Sequence, residues 1–342
     1  MNRKAVTAVV LTALVVVLAA AAGGAGQAGP RYRVFASNEY GGTVSVIDPE
    51  KDEVIATIRV SNRPGDVRPR GLGVSPDGKT VYVALSDFAP QVESDEDGIV
   101  AIDVATARVV GKFRVGSDPE RLAVSPDGRQ LWAANEDAAQ ATGFDIRTGE
   151  VLGSFPSGIE PEGVAVSPDG RWVYVTGEVS HTVTVIDARE LRVVKHVMVG
   201  ARPRIVIFSR DGKRAYVSAE IGGTVSVIDP SRHQVIHTVR LGTNTRLVGL
   251  ALTPDGKRLF AAAGGTNSVF VIDTQSLDVI KEIRERMGRR PWGIAVTPDG
   301  KKVYTANGLS DSVSVIDTST LTVVKNISTG RGTHDVVVGI VP

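Results

Sequence analysis

The stretch Ser167-Pro-Asp-Gly-Arg-Trp-Val-Tyr-Val-Thr-Gly-Glu-Val-Ser-His-Thr-Val-Thr-Val-Ile-Asp187 carries two marks that recur along the chain. The first is Ser/Thr-x-Asp-Gly, beginning at Ser75, Ser125, Ser167, Ser209, Thr253 and Thr297, with spacings of 50, 42, 42, 44 and 44 residues. Proline presets φ, and glycine accepts the positive φ that a tight reversal needs. The second mark is a β-branched run ending in Asp48, Asp103, Asp145, Asp187, Asp229, Asp273 or Asp317, at intervals of 55, 42, 42, 42, 44 and 44. Around the quoted stretch, four short runs read as strands: Gly163–Ser167, Trp172–Thr176, Thr182–Asp187 and Val193–Val199. Four strands per repeat of about 40–50 residues make a β-propeller blade. No 3.6-residue periodicity competes with that reading.

Seven Asp-terminated strands predict seven blades. The N-terminal run from Tyr32 matches a second strand, and His334–Ile340 matches a first strand, so blade 1 is expected as a composite of Tyr32–Val60 and His334–Ile340. The expected fold is therefore all-β: a seven-bladed β-propeller of four-stranded antiparallel blades, closed by a C-terminal strand that joins the N-terminal blade. It occupies residues 31–342 as one domain. Closure leaves no strand edge unpaired at the ends of the chain. One second-strand position reads Phe35, Tyr82, Trp132, Tyr174, Tyr216, Phe260 and Tyr304, seven of the 17 aromatic residues, and is expected to pack blade against blade. Small residues at Gly73, Ala123, Ala165, Ala251 and Ala295 let the inner strands crowd the axis. The Asp residues of the two marks are expected to build turns rather than to catalyse.

The 342 residues carry 39 Lys plus Arg against 38 Asp plus Glu, and no cysteine. Near-neutral charge lacks the basic footprint that phosphate neutralisation demands, which argues against nucleic acid as a partner. The absence of cysteine excludes disulfides, thiol nucleophiles and Cys-ligated zinc. Asn2-Arg3-Lys4, the apolar run Ala5–Ala22 and the small residues up to Ala28 have the layout of a secretory signal peptide over residues 1–28. An uncleaved anchor is the alternative, because 18 largely apolar residues approach a bilayer span. After cleavage no segment would cross a membrane, and the protein would be periplasmic or secreted.

The unit Lys213-Arg-Ala-Tyr-Val-Ser-Ala-Glu-Ile-Gly-Gly-Thr-Val-Ser-Val-Ile-Asp229, with the Ser-Pro-Asp-Gly turns, resembles the YVTN-repeat β-propeller family over roughly residues 31–341. Tyr174-Val-Thr and Tyr304-Thr-Ala-Asn307 hold degenerate forms of its motif. The runs Pro119–Gly128, Gly158–Gly163 and Arg202-Pro-Arg204 are similar to a narrower group of exported propellers associated with pyrroloquinoline-quinone-dependent catabolism. That resemblance implies an accessory place in periplasmic oxidation, with a dehydrogenase or cytochrome as partner. It implies no bound quinone cofactor. The Trp-Asp repeat signature and the Trp-rich docking motifs of quinoprotein dehydrogenases are missing.

In a blade, the first-to-second and third-to-fourth turns share one face, where the marks are short and uniform. All large departures fall on the other face, as insertions within Ser61–Pro69 and Ser86–Gly98. Function concentrates in variable loops held by a rigid scaffold. On that face one position precedes each inner strand: Arg70, Glu120, Glu162, Arg204, Val248, Trp292 and His334. Arg70, Glu120, Glu162, Arg204, Trp292 and His334 could bind a small polar or anionic ligand, with arginine bidentate to a carboxylate or phosphate. Alternatively, Glu162 and Arg204 form a structural ion pair at the pore mouth. A catalytic reading makes His334 the base and Arg204 an electrostatic clamp, with Glu162 nearby. Glu39, Glu136, Glu178 and Glu220 follow the second strands and are expected to accept hydrogen bonds from loop backbone. Glu93, Asp95 and Asp97 resemble the first half of a calcium loop, against the alternative of a solvated acidic tip. His181, His196, His233 and His237 read as surface residues.

The expected function is a non-catalytic exported propeller that binds a protein partner or small ligand through the face bearing the 61–69 and 86–98 loops. A lactonase- or lyase-type enzyme at the channel entrance is the alternative, and a cell-surface structural or adhesion protein a third. No other cofactor is expected.

Overall fold

The structure is a computed structural model that describes residues 31–61, 63, 67–87 and 97–341. The signal segment, Glu93, Asp95 and most of the two insertions lie outside the described residues. Among the described residues, twenty-eight strands form seven four-stranded antiparallel sheets. Blade 1 runs from Thr333–Val341 at the axis through Arg31–Asn38 and Thr43–Asp48 to Glu53–Arg59. Blades 2 to 7 then follow in chain order, with inner strands Val67–Val74, Pro119–Val124, Pro161–Val166, Pro203–Phe208, Leu247–Leu252 and Pro291–Val296. The ends of the chain meet as expected: Val34 lies opposite Val338 and Phe35 opposite Val337.

The turn marks do local work. Asp77 accepts a hydrogen bond from Ser75 Oγ at 2.6 Å, Ser75 Oγ accepts from the Thr80 amide at 2.9 Å, and Gly78 sits at φ 74°. The same pattern recurs at Asp127, Asp169, Asp211, Asp255 and Asp299. The strand-ending Asp residues accept amides of their own turns, as Asp103 does from Thr106 at 2.7 Å. Hydrogen bonding to the charged carboxylate holds Asp77 and Asp103 below the usual range.

All seven aromatic positions are buried, and each lies in an apolar cluster between adjoining blades. Tyr174 of blade 4 packs with Val206, Val217 and Ile228 of blade 5. Its hydroxyl lies 2.7 Å from His233 Nδ1. His233 is therefore buried and not a surface residue, whereas His181, His196 and His237 are exposed. At the closing seam, Tyr304 and Lys302 of blade 7 both reach Asp52 of blade 1 at 2.7 Å. No helix among the described residues is long and apolar enough to cross a membrane.

Candidate functional site

Backbone hydrogen bonds define the candidate face. The amide after each second strand reaches back to the loop that leads into its own blade: Glu136 to Asp118, Glu178 to Glu160, Glu220 to Arg202, Gly264 to Arg246, Gly308 to Arg290 and Glu39 to Gly332, at 2.8–3.1 Å. Each accepting residue stands two positions before a ring residue and adopts a left-handed conformation, with φ of 47°, 54°, 61°, 47°, 57° and 66° in that order. Five of the six are charged non-glycine residues, for which this conformation costs roughly 1–2 kcal/mol each. The bend aims a carbonyl at the neighbouring loop and turns the chain into the axis, so that the next residue but one lands in the ring. The same conformation recurs in the turns after the strand-ending Asp residues, at Asp52, Ala107, Leu191, His233, Leu277 and Leu321, so it belongs to the geometry of the repeat and does not by itself mark the site.

The ring has three sectors. In the first, around blades 4 and 5, Arg204 is enclosed by carboxylates. It pairs with Glu162, with Glu178 at 2.5 Å and with Glu220 at 2.8 Å. Arg202 joins Glu178 and lies 3.4 Å from Glu220, and Arg246 lies 3.1 Å from Glu220. Burial would raise the Glu162 pKa, but Arg204 and Arg70 hold it below the usual range. Glu178 goes the other way. Burial, with the adjacent Glu162 charge, pushes it up to about 8 despite Arg204 and Arg202. Of the carboxylates that follow the second strands, Glu39, Glu178 and Glu220 thus receive arginines rather than loop amides, and the loop bonds run through the backbone amides of all four.

The second sector spans blades 2 and 3. Arg70 pairs with Glu120 and lies 3.2 Å from Glu39, and Arg68 lies 3.1 Å from Asp118. Burial pushes Glu120 well above the usual carboxyl range, and Glu162 and Glu136 add to the rise against Arg70. Beneath this sector Arg121 reaches Asp335 at 2.7 Å, and Asp335 accepts the Leu72 amide at 2.9 Å. These bonds bridge blades 3, 2 and 1 across Gly71. A Cβ on Gly71 would stand 2.5 Å from Arg121 Cγ, so only glycine fits there.

The third sector joins blades 7 and 1. The Trp292 ring lies 5.9 Å from that of His334, with the Arg290 guanidinium 4.3 Å and that of Arg204 5.4 Å from the Trp292 centroid. His334 is buried, and its Nδ1 has no hydrogen-bonding partner. Burial, then the charges of Arg70, Arg121, Arg290 and Arg204, push its pKa well below the usual imidazole range. The imidazole is neutral at ordinary pH, with a free ring nitrogen in a cationic surrounding. Val248 contributes an apolar wall.

The structure thus brings Arg70, Glu120, Glu162, Arg204, Trp292 and His334 into one electrostatic neighbourhood, with Arg204 and Glu162 bonded to each other. Sequence counting missed Arg290, Asp118, Arg68, Arg202 and Arg246. A usable signal is the charged residue followed by proline ahead of the ring residue, as in Arg68-Pro-Arg70, Asp118-Pro-Glu120, Arg202-Pro-Arg204 and Arg290-Pro-Trp292. For the calcium expectation, Asp97 is buried and accepts the Asp87 amide at 2.9 Å, which makes it a brace at the base of its loop. The described residues place another acidic group together instead. One carboxylate oxygen each of Asp118, Glu120 and Glu136 lie within 4.8 Å of one another.

The chain matches models of two seven-bladed or related propeller families: the lactonase 7-bladed β-propeller family over residues 189–333 and the YNCE-like β-propeller family over residues 122–213. No curated protein matches the sequence. Similar solved structures include the hydrazine synthase of Kuenenia stuttgartiensis (23% identity, TM-score 0.69, covering 80% of this chain and 90% of that one). Others are a putative 6-phosphogluconolactonase of Bacteroides fragilis (20%, 0.72, 92% and 99%) and the periplasmic gluconolactonase of Pseudomonas aeruginosa (21%, 0.72, 91% and 99%). At these identities the likeness establishes the fold. The lactonase family match runs from blade 4 through blade 7, taking in Arg204, Arg290 and Trp292, and stops one residue before His334. These findings overturn two expectations, that the chain is a non-catalytic binding propeller and that it is not an enzyme. They favour the lactonase-type alternative.

Proposed function

We propose that the protein is a lactonase-type enzyme that opens a small polar or anionic lactone at the ring. The observation that carries this reading is the buried, neutral His334 with an unpartnered Nδ1 beside Arg290. A buried polar atom without a partner is costly and calls for an explanation. Here the free nitrogen accepts the proton of an attacking water, as a general base needs to do. Arg290 makes no ion pair among the described residues, and its guanidinium can hold the carbonyl oxygen as negative charge develops there. Arg204 and Glu162 saturate each other and act as the frame beneath the site rather than as clamp and base. The lactonase family match and the gluconolactonases among the similar structures support the same reading.

The finer resemblance, to YVTN-repeat and exported quinone-associated propellers, supports an exported setting, as does the signal-like N-terminal segment. Oxidation of a cyclic hemiacetal makes a lactone, so a sugar-oxidising reaction in that compartment would supply a suitable substrate.

The test is proton release from a panel of aldonolactones, followed in a pH-stat with the full chain and with His334→Gln and Arg290→Ala. We expect kcat/KM to fall by about 10²–10⁴ in His334→Gln, with the thermal midpoint kept. Lactone opening at the unaltered rate in His334→Gln would refute the assignment.

A further inference from the structure

We propose that Glu120 and Glu136 form a carboxyl pair that holds one proton between them at neutral pH and delivers it to the alkoxide leaving from the opened lactone. The delivery step rests on the lactonase reading, and the stored proton does not. Three carboxylates, Asp118, Glu120 and Glu136, converge within 4.8 Å. Their cations are unequally shared. Asp118 has Arg68 at 3.1 Å, and Glu120 has Arg70, which Glu39 also holds at 3.2 Å. Glu136 has neither lysine nor arginine paired with it among the described residues, and its side chain meets Glu120.

Glu120 is fully buried, and its Oε1 has no hydrogen-bond donor. Two like charges so close, away from water, cannot both stay ionised, so one proton bridges them. Burial pushes both groups upward: for Glu120 it prevails over Arg70 with help from Glu162 and Glu136, and for Glu136 it prevails over the hydrogen bond with Glu120 with help from Glu162 and Asp118, which agrees with the geometry. The Glu162–Glu178 pair also carries a proton, but Arg204 and Arg202 pin both of its members. Of these two pairs, the Glu120–Glu136 pair alone has a member with no ion-paired lysine or arginine among the described residues.

The pair stands across Arg70 from His334, because blades 1, 2 and 3 carry His334, Arg70 and Glu120 in turn. Base and acid thus flank one guanidinium. In the reaction, the water oxygen bonds to the carbonyl carbon as His334 takes its proton. The carbon–oxygen bond of the ring then breaks, and its electron pair leaves on the ring oxygen, which takes the proton from the carboxyl pair. The imidazolium returns its proton to the emptied pair through solvent. One lactone and one water become one hydroxy acid.

Infrared difference spectra of the full chain should show protonated-carboxyl carbonyl intensity at neutral pH, of which one component is lost in Glu136→Gln and, as the second variant, in Glu120→Gln, while the component of the Glu162–Glu178 pair, removed by Glu178→Gln, stays. No such band, or a band unchanged in both folded variants, overturns the stored proton whether or not any lactone is hydrolysed. Leaving-group dependence tests the delivery. Glu136→Gln should slow an aliphatic lactone by about 10²–10³ but spare an aromatic lactone, whose phenoxide leaves without help. Equal slowing of both overturns it. Calorimetric titration with calcium, magnesium or manganese closes the remaining route. Binding that Glu136→Gln abolishes would make the cluster a cation site and overturn the proposal.

Discussion

Arg204 and His334 occupy the same place in the repeat, in blades 5 and 1, and meet opposite fates. Arg204 is surrounded by three carboxylates, each within ion-pair distance. His334 faces arginines and has no partner on Nδ1. Both are buried, so neither can use water to make good a missing contact. A ring of this kind teaches that position alone does not mark a reactive residue. Saturation marks the frame, and the unsatisfied atom marks the place where chemistry can happen.

The largest effect expected from this contrast falls on stability. Arg204→Ala leaves Glu162, Glu178 and Glu220 facing one another with their common cation gone. Removing one partner of a buried ionic network costs about 3–5 kcal/mol, and denaturant unfolding should read a loss of that size. His334→Gln has no ionic partner to orphan, so its unfolding midpoint should stay close to that of the wild type. If both variants lose the same stability, the division into frame and reactive centre fails.

The propeller was legible because its signals are local. Each turn mark contains its own acceptor, donor and positive-φ glycine within six residues, as Ser75 to Thr80 shows. Ring positions followed from counting along the repeat. Beyond the Glu162–Arg204 pair, which it offered as one alternative, counting could not supply which charges meet across blades. For Arg204 the sequence offered both a clamp and an ion pair with Glu162, but not Glu178 and Glu220, because the three carboxylates come from three different strand ends. Asp335 went unnoticed because its partner Arg121 lies 214 residues away. His233 read as surface because nothing near it in sequence announces Tyr174. Arg290 escaped because a left-handed arginine leaves no trace in hydropathy, and only the repeat of charged-residue-proline ahead of the ring exposes it. The function misled for a further reason: a propeller scaffold hosts binding and catalysis alike.

A smaller effect sharpens the contrast through pH. Glu178 is pushed up to about 8 from an ordinary value near 4.5, by burial first and by Glu162 after that. A raised carboxyl favours the fold fully below its ordinary range, and that contribution is lost as pH rises through about 8. Glu220 behaves in the opposite sense. Its pKa is lowered: burial acts to raise it, but Arg204 prevails, so its contribution is present at neutral pH and fades on acidification. Thermal unfolding between about pH 5 and 8 should therefore show a decline with rising pH that Glu178→Gln flattens. A slope unchanged by that substitution would place the proton elsewhere in the ring.

The smallest effect belongs to Arg246, at the rim of the same frame. It touches Glu220 at 3.1 Å, but its side chain is 59% exposed, and Glu220 keeps Arg204 at 2.8 Å and Arg202 at 3.4 Å. An exposed pair contributes about 0–1 kcal/mol, so Arg246→Ala should move the unfolding free energy by no more than that. Arg246 also sits in the left-handed region at φ 47°, directly after the single-turn helix Thr243–Thr245. Glycine enters that region freely, so Arg246→Gly should be at least as stable as Arg246→Ala although both lose the same ion pair. A loss in Arg246→Ala approaching that of Arg204→Ala would mean that the rim carries the network, and the centre would no longer be what separates Arg204 from His334.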